Sequence, residues 1–458
     1  MSTGSFTWTD TQVRKALALA GREEVEYTHV STDTRSLQAG ALFLALAGPN
    51  FDGHDFLTRA ADAGAWGAVV SRDVQAPEGM VLYRVDDTLT ALGKLARYRR
   101  DHLSARVVGI TGSSGKTSTK EFVRAALADT LRVHATAANL NNRVGVPLTI
   151  LAAPTDAQVV VVERGTNEPG EIRALTGIAR PDVGMITTVS ESHLDKLVDL
   201  EGVYREKLDL LRGLVPGAVA LVGDTPADLP ARARAIRPDG RVAGLGDAAD
   251  AEFRPHRLTV DAGGRYGFQW QGTPVTLGVA GRHMAANAVL ALAVARILDV
   301  PTEAAVRGVE GITGAAMRGE ERSVGSLALV VDCYNANPQS TRAALDTLAS
   351  RTGRGARMVF LGSMLELGGR SDALHTEVLE YALSLGLELV VASGAFARAL
   401  PETEHPALVR EADPDAAYKR VLPRLRKGGT LLLTASRGVR LERLLPRLES
   451  DLAPEGVA

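Results

Sequence analysis

The β-branched apolar run Arg106-Val107-Val108-Gly109-Ile110-Thr111 passes through Gly112-Ser113-Ser114-Gly115 into Lys116-Thr117-Ser118-Thr119. The run predicts a buried strand and the glycines a tight turn. Phe122, Val123, Ala126 and Leu127 then form one stripe of a helix from Lys120 to Asp129. That order suits a triphosphate, because backbone N–H groups close around phosphate oxygens and a helix N-terminus adds a favourable dipole. In such a loop Lys116 reaches the outer phosphates and the Thr117 hydroxyl sits on Mg²⁺. The common loop, G-x-x-x-x-G-K-[ST], would place its first glycine where this chain has Ile110, so the loop is the shorter G-x-x-G-K-T form from Gly112. A glycine turn alone reads as a plain turn; the strand before it and the Lys-Thr pair and helix after it point to phosphate.

Val107–Ile110, Val159–Val162 and Val183–Val189 are near-continuous apolar runs alternating with helices, which predicts a parallel sheet covered on both faces. Ligands gather outside the carboxyl ends of such strands. Thr117, Glu163 and His193 fall there, and a hydroxyl, a carboxylate and an imidazole beside a triphosphate make a Mg²⁺ site. Singly, Glu163 reads equally as a strand-end charge and His193 as a loop residue. In Asn139-Leu140-Asn141-Asn142-Arg143-Val144-Gly145-Val146-Pro147-Leu148-Thr149 the asparagines disfavour helix and strand, and fit a plain loop or a polar ligand lining equally well. Lys207 lies on the apolar stripe Val203, Leu210, Leu211, Leu214 of a helix from Glu201 to Leu214. It either snorkels its amine to water or is a desolvated lysine with a lowered pKa.

Upstream, a helix from Thr11 to Ala20 and strands at Ala41–Leu46, Trp66–Val70 and Met80–Val85 make a first α/β unit. There Asp33-Thr34-Arg35 reads as a solvated turn and Asp52-Gly53-His54 as a capped helix start. Downstream, Arg254–Val279 reads as hairpins, and Gly281 opens a long helix with His283 in its first turn. The stretches around Pro216 and over Asp224–Pro238 read as loops. Strands at Leu327–Val331, Met358–Leu361, Leu389–Ala392 and Thr430–Leu433 predict a dinucleotide-fold-like domain that lacks G-x-G-x-x-G. The expected fold is α/β in three domains, 1–103, 104–314 and 315–458, the middle one carrying the phosphate loop on a parallel sheet.

The length of 458 residues accords with this domain number. A net charge of −2 gives no case for a nucleic-acid surface. The one cysteine, Cys333, excludes an internal disulfide and fits a reducing cytoplasm. Met1 to Asp10 lacks a signal pattern, and Asn287 and Arg296 interrupt the densest apolar stretch, so no membrane segment is expected.

Together these motifs resemble the Mur ligases of bacterial cell-wall synthesis, from about Asp33 to Arg437. The most specific pieces are Asn139–Asn142 with Gly145-Val146-Pro147, Asp332-Cys333-Tyr334-Asn335-Ala336-Asn337-Pro338, and Leu361-Gly362-Ser363-Met364-Leu365-Glu366-Leu367-Gly368, similar to the family's L-G-D-M-x-E-L-G. The Asp-x-Tyr-Asn-Ala-Asn-Pro form resembles the member that joins D-alanyl-D-alanine to UDP-N-acetylmuramoyl-tripeptide. The resemblance implies a monomeric, cytoplasmic ligase working through an acyl phosphate.

The resemblance also implies roles. Gly112, Ser113, Ser114, Gly115, Lys116, Thr117 and Ser118 would bind ATP phosphates, Lys116 stabilising the transferred group. Thr117 and Glu163 would hold one Mg²⁺, and His193 and a carbamylated Lys207 would support a second. Asn287 would contact adenine, and Arg318 and Asp332 would reach the nucleotide from the C-terminal domain. Asp33, Thr34 and Arg35 would hold the uridine end, while Asn139, Asn142 and Asn335 would face the substrate. Ser363, Thr434 and Gly223 depart from the aspartate, lysine and asparagine the family pattern leads one to expect.

Overall fold

The apolar runs in the middle of the chain form one six-stranded, wholly parallel sheet, ordered Val133–Ala135, Val159–Glu163, Arg106–Thr111, Val183–Ile186, Val219–Gly223, Arg241–Ala243. The structure is a computed structural model and describes Gly4 and residues 6–314, 316–352 and 355–452. Both faces of the sheet are covered. Val107, Val160 and Val162 pack with Ala96, Val146 and Leu175, while Val108, Ile110 and Val161 pack with Phe122, Ala288 and Leu292. Alternate residues thus enter different cores, and the strands read as unbroken apolar runs. The chain leaves Arg106–Thr111 for the far edge, returns to Val159–Glu163 beside it, and then crosses to Val183–Ile186 on its other side. The phosphate-loop strand therefore sits where the strand order reverses, the place at which such sheets bind ligands.

The helix behind the loop is Lys116–Ala128, starting earlier than the Lys120 expected because Gly115, at φ +80°, turns the chain straight into it. Helix Arg282–Ile297, apolar nearly all round, packs along it, and Thr302–Glu310 crosses it. A Cβ on Gly308 would stand 2.1 Å from the Ala125 carbonyl oxygen, so this crossing depends on glycine. Gly308→Ala is expected to cost about 1–3 kcal/mol by overpacking, read as a lowered melting temperature. An unchanged melting temperature would show that the crossing yields freely.

Three local expectations need correction. The run Val183–Val189 is a strand only to Ile186, because Thr187 and Thr188 bend over the phosphate loop: Thr187 Oγ1 donates to Ser114 O (2.6 Å) and Ser113 N–H to Thr188 O (2.9 Å). Of the asparagine stretch, Gly145–Leu151 is helical, its start capped by Asn142 Oδ1, which accepts from Val144 N–H (3.1 Å) and Gly145 N–H (2.9 Å). Within Asp224–Pro238, Leu229–Ile236 is a helix with Pro230 in its first turn, where the missing N–H goes unused.

Towards the N-terminus, His29–Ser31, Ala41–Leu44, Ala65–Val70 and Val81–Arg84 form a four-stranded parallel sheet in chain order. The expected hairpins after Arg254 are a three-stranded antiparallel sheet, His256–Val260, Arg265–Trp270 and Thr273–Ala280. The C-terminal sheet is ordered Glu320–Val324, Leu327–Asp332, Gly429–Thr434, Ala356–Leu361, Leu389–Ala392, Leu408–Arg410. Its two edge strands, the first of them antiparallel, were not legible in the sequence. One buried cluster joins Leu194, Leu197 and Val203 of the middle region to Leu345, Met364 and Leu367 of the C-terminal region. No helix among the described residues is long and apolar enough to cross a membrane.

Candidate active site

The glycine turn closes tightly on its surroundings, and a Cβ on Gly115 would meet Asn287 Oδ1 at 2.6 Å. Lys116 folds back over the loop, its Nζ donating to Gly112 O (2.7 Å) and Ser113 O (3.4 Å). Burial lowers its pKa, with the Glu163 carboxylate opposing the shift.

Glu163, 1 % exposed at the end of its strand, is held at both oxygens. Oε2 accepts from Thr117 Oγ1 (2.9 Å) and Oε1 from Asn141 Nδ2 (2.9 Å). Lys120 Nζ stands 4.0 Å from Oε2 and donates to Thr136 O (2.8 Å). The hydroxyl and carboxylate expected at neighbouring strand ends thus meet. Both are the hard oxygen donors that Mg²⁺ takes, usually beside phosphate and water. Among the described residues no group of three His, Cys, Asp or Glu side chains converges as a metal site, so any such ion would draw most of its ligands from elsewhere.

His193 adopts a left-handed backbone (φ +54°) before the short helix Leu194–Leu197. Its Nδ1 lies 2.7 Å from Glu366 Oε2, and this contact holds the Glu366 carboxyl below the usual range. Lys207 is completely buried on helix Leu200–Arg212, and its Nζ has no hydrogen-bond partner among the described residues. The amine does not snorkel. Burial drives its pKa well below the ordinary lysine value, and the Lys116 ammonium adds to the shift.

A cleft of about 860 Å³ lies over the loop. Ser113, Ser114, Gly115, Lys116, Thr117, Ser118, Asn142, Glu163, His193, Asn287, Arg318, Asp332 and Asn335 all line it. Arg318 Cζ lies 3.9 Å and Arg437 Cζ 5.1 Å from the centre of the Tyr334 ring. Burial pushes the Asp332 carboxyl up to about 6, against the pull of Arg318. Asn139 lines a neighbouring cavity of about 580 Å³ that also touches Thr117 and Arg318. Asp33, Thr34 and Arg35 border neither cavity; Asp33 accepts from the Arg35 guanidinium (2.6 Å) in an exposed turn.

Sequence reasoning missed Asn141, Lys120, Asn337 and Glu366. Asn141 stood in the asparagine run, but no pattern tells which of three amides faces the carboxylate. Asn337 and Glu366 stood in their motifs, but act across the domain boundary. Asn337 Nδ2 donates to Ser114 Oγ (3.0 Å), Thr188 Oγ1 to Gln339 Oε1 (3.2 Å), and Arg370 pairs with Glu191 (3.2 Å). Of the departures, Ser363 Oγ accepts from Ala395 N–H (2.8 Å), and the buried Thr434 hydroxyl has no partner among the described residues.

Three family models match the chain in succession: "Mur ligase family, catalytic domain" over residues 26–100, "Mur ligase middle domain" over 110–295, and "Mur ligase, glutamate ligase domain" over 317–437. The chain belongs to the Mur ligase family. It is 34% identical over 454 residues to the UDP-N-acetylmuramoyl-tripeptide–D-alanyl-D-alanine ligase of Bacillus subtilis (strain 168), covering 96% of this chain and 97% of that one. Among solved structures, MurF from Acinetobacter baumannii superposes with a TM-score of 0.90 at 29% identity, covering 98% of this chain and 100% of that one. The MurF ligase of Thermotoga maritima in complex with ADP gives 0.82 at 27% identity, covering 93% and 97%. These matches bear out the expected three-domain α/β architecture of this Mur ligase.

Proposed function

We propose that this chain is a cytoplasmic, ATP-dependent ligase that joins D-alanyl-D-alanine to UDP-N-acetylmuramoyl-tripeptide in peptidoglycan precursor synthesis, and so serves cell-wall growth, shape and division. The observation that carries the reading is the Thr117–Glu163–Asn141 cluster beside the glycine loop, in a chain alike over nearly its whole length to ligases named for that reaction. Its domains would run 1–103, 104–314 and 315–458.

The roles are those that the family resemblance implies, and the chemistry of each group is compatible with them. Gly112 to Ser118 cradle ATP phosphates with backbone N–H groups, and Lys116 faces the transferred phosphoryl group. Thr117 and Glu163 would hold one Mg²⁺, and His193 with a carbamylated Lys207 would support a second; bound there, such ions would neutralise phosphate charge. Asn287 contacts adenine, while Arg318 and Asp332 meet the nucleotide from the C-terminal side. The peptide's terminal carboxylate attacks the γ-phosphorus and ADP leaves; the neutral dipeptide amine then attacks the acyl phosphate, forming the amide bond and releasing phosphate and one proton. Asn139, Asn142 and Asn335 face these groups, with the Asn142 oxygen already engaged as a helix cap. Asp33, Thr34 and Arg35 take the uridine end. The contacts of Asn337, Gln339 and Arg370 with the middle region support a closed cleft that excludes water from a hydrolysable intermediate.

Phosphate release with the UDP-linked tripeptide is expected to require a D,D-dipeptide. Turnover with a single amino acid and none with D-alanyl-D-alanine would assign the chain to a sibling ligase.

A further inference from the structure

We propose that Glu366 is a positioning residue that readies His193 for the metal site only when the C-terminal domain is docked. The inference rests on the reading above, in which His193 supports the second ion. A ligating imidazole nitrogen must be free of its proton, so the proton has to sit on the other nitrogen, and a carboxylate there fixes both the tautomer and the ring. Glu366 Oε2, 2.7 Å from His193 Nδ1, is placed to do this and leaves Nε2 as the lone-pair donor.

Two features set this contact apart from a chance surface pair. His193 (φ +54°) and Glu366 (φ +63°) both adopt the left-handed conformation, uncommon for non-glycine residues and here met on both sides of one contact. The loops also dock by backbone: Asp195 N–H donates to Glu366 O (3.4 Å), and a Cβ on Gly368 would stand 3.2 Å from Leu194 O. Because Glu366 comes from the C-terminal region and His193 from the middle one, undocking would withdraw the carboxylate from the imidazole. Phosphoryl transfer would then be confined to the closed form. The Arg370–Glu191 pair anchors the same two loops without touching the imidazole, and so supplies a control.

The test is Mn²⁺ binding to the full chain with β,γ-methylene ATP, followed by the electron paramagnetic resonance of free Mn²⁺. Wild type should bind two ions per chain. Glu366→Ala should weaken one of them by about 10–100-fold, the usual range for losing a carboxylate behind a metal-bound histidine. Arg370→Ala removes one partly exposed ion pair of the same seam, a contact too weak to undock the domain by itself, and should leave that affinity within about twofold, below the same range. Glu366→Gln keeps the side-chain volume and should also weaken the ion; it decides the matter should the alanine variant melt early. Unchanged Mn²⁺ affinity in a folded Glu366 variant, or an equal loss in Arg370→Ala, would overturn the proposal. A wild type that binds only one ion would overturn it together with the two-ion reading, and is recognised before any variant is made.

Discussion

Lys116→Ala is expected to lower kcat at least ~100-fold, the scale for losing one preorganised group that faces developing charge. Lys116 is the sole cation between Gly112 and Thr119. Its ammonium lies over the loop against the Gly112 carbonyl, close enough to feel Glu163 and the incoming Arg318. A charge held there costs little to reorganise as negative charge shifts during phosphoryl transfer. The measurement is phosphate release at saturating substrates, with nucleotide affinity followed separately. A large fall in kcat with modest loss of affinity would mark a group that acts chiefly in the transition state. Activity within a few-fold of wild type would refute the assignment of the loop.

Replacing Lys207 by alanine is expected to leave less than about 1% of activity if, as the family resemblance implies, its carbamate supports the second ion. The amine is completely buried, unpartnered among the described residues and shifted well below the usual lysine pKa, so its neutral form is favoured relative to that of an exposed lysine. A neutral amine adds to CO₂, releasing one proton and giving a carbamate. That anion offers two oxygens to Mg²⁺ where an ammonium would repel it. Acetate or formate should therefore partly restore Lys207→Ala. Lys207→Arg should stay inactive, because guanidinium remains charged and cannot be carbamylated. An active arginine variant, or alanine without rescue in a protein that melts normally, would end the carbamate hypothesis.

The contrast between Lys207 and Asp33–Arg35 shows what a sequence can carry. The stripe around Lys207 was visible, but periodicity could not tell whether the side-chain tip reaches water; only packing of the neighbouring elements settles that. Strands such as Val159–Glu163 were legible because burial on both faces demands continuous apolar residues. Their carboxyl ends then located Thr117 and Glu163. Some boundaries failed for local reasons, such as Gly115 or Pro230 at a helix start, and one because backbone from elsewhere intervened, where Thr187 crosses the loop and ends a strand that its sequence would have continued. Glu366, Asn337 and Asn141 fell below sequence resolution for a related reason. Each acts on a partner distant in the chain or chosen from equivalent neighbours. Asp33 and Arg35 remain the least constrained, since in the structure they satisfy each other.

The buried cluster that runs from Leu194 and Leu197 into Met364 and Leu367 bears on how chains of this architecture could diverge. A lid hung on a polar hinge could be exchanged between relatives as a cassette. Here an apolar patch runs beside the polar contacts of Asn337, Gln339, Glu366 and Arg370, so a transplanted C-terminal module would have to match apolar side chains on a host surface that it never evolved against. Mismatches would leave voids or exposed apolar area at the joint. Divergence would then proceed more easily by point replacement inside the resident module than by recombination at its border.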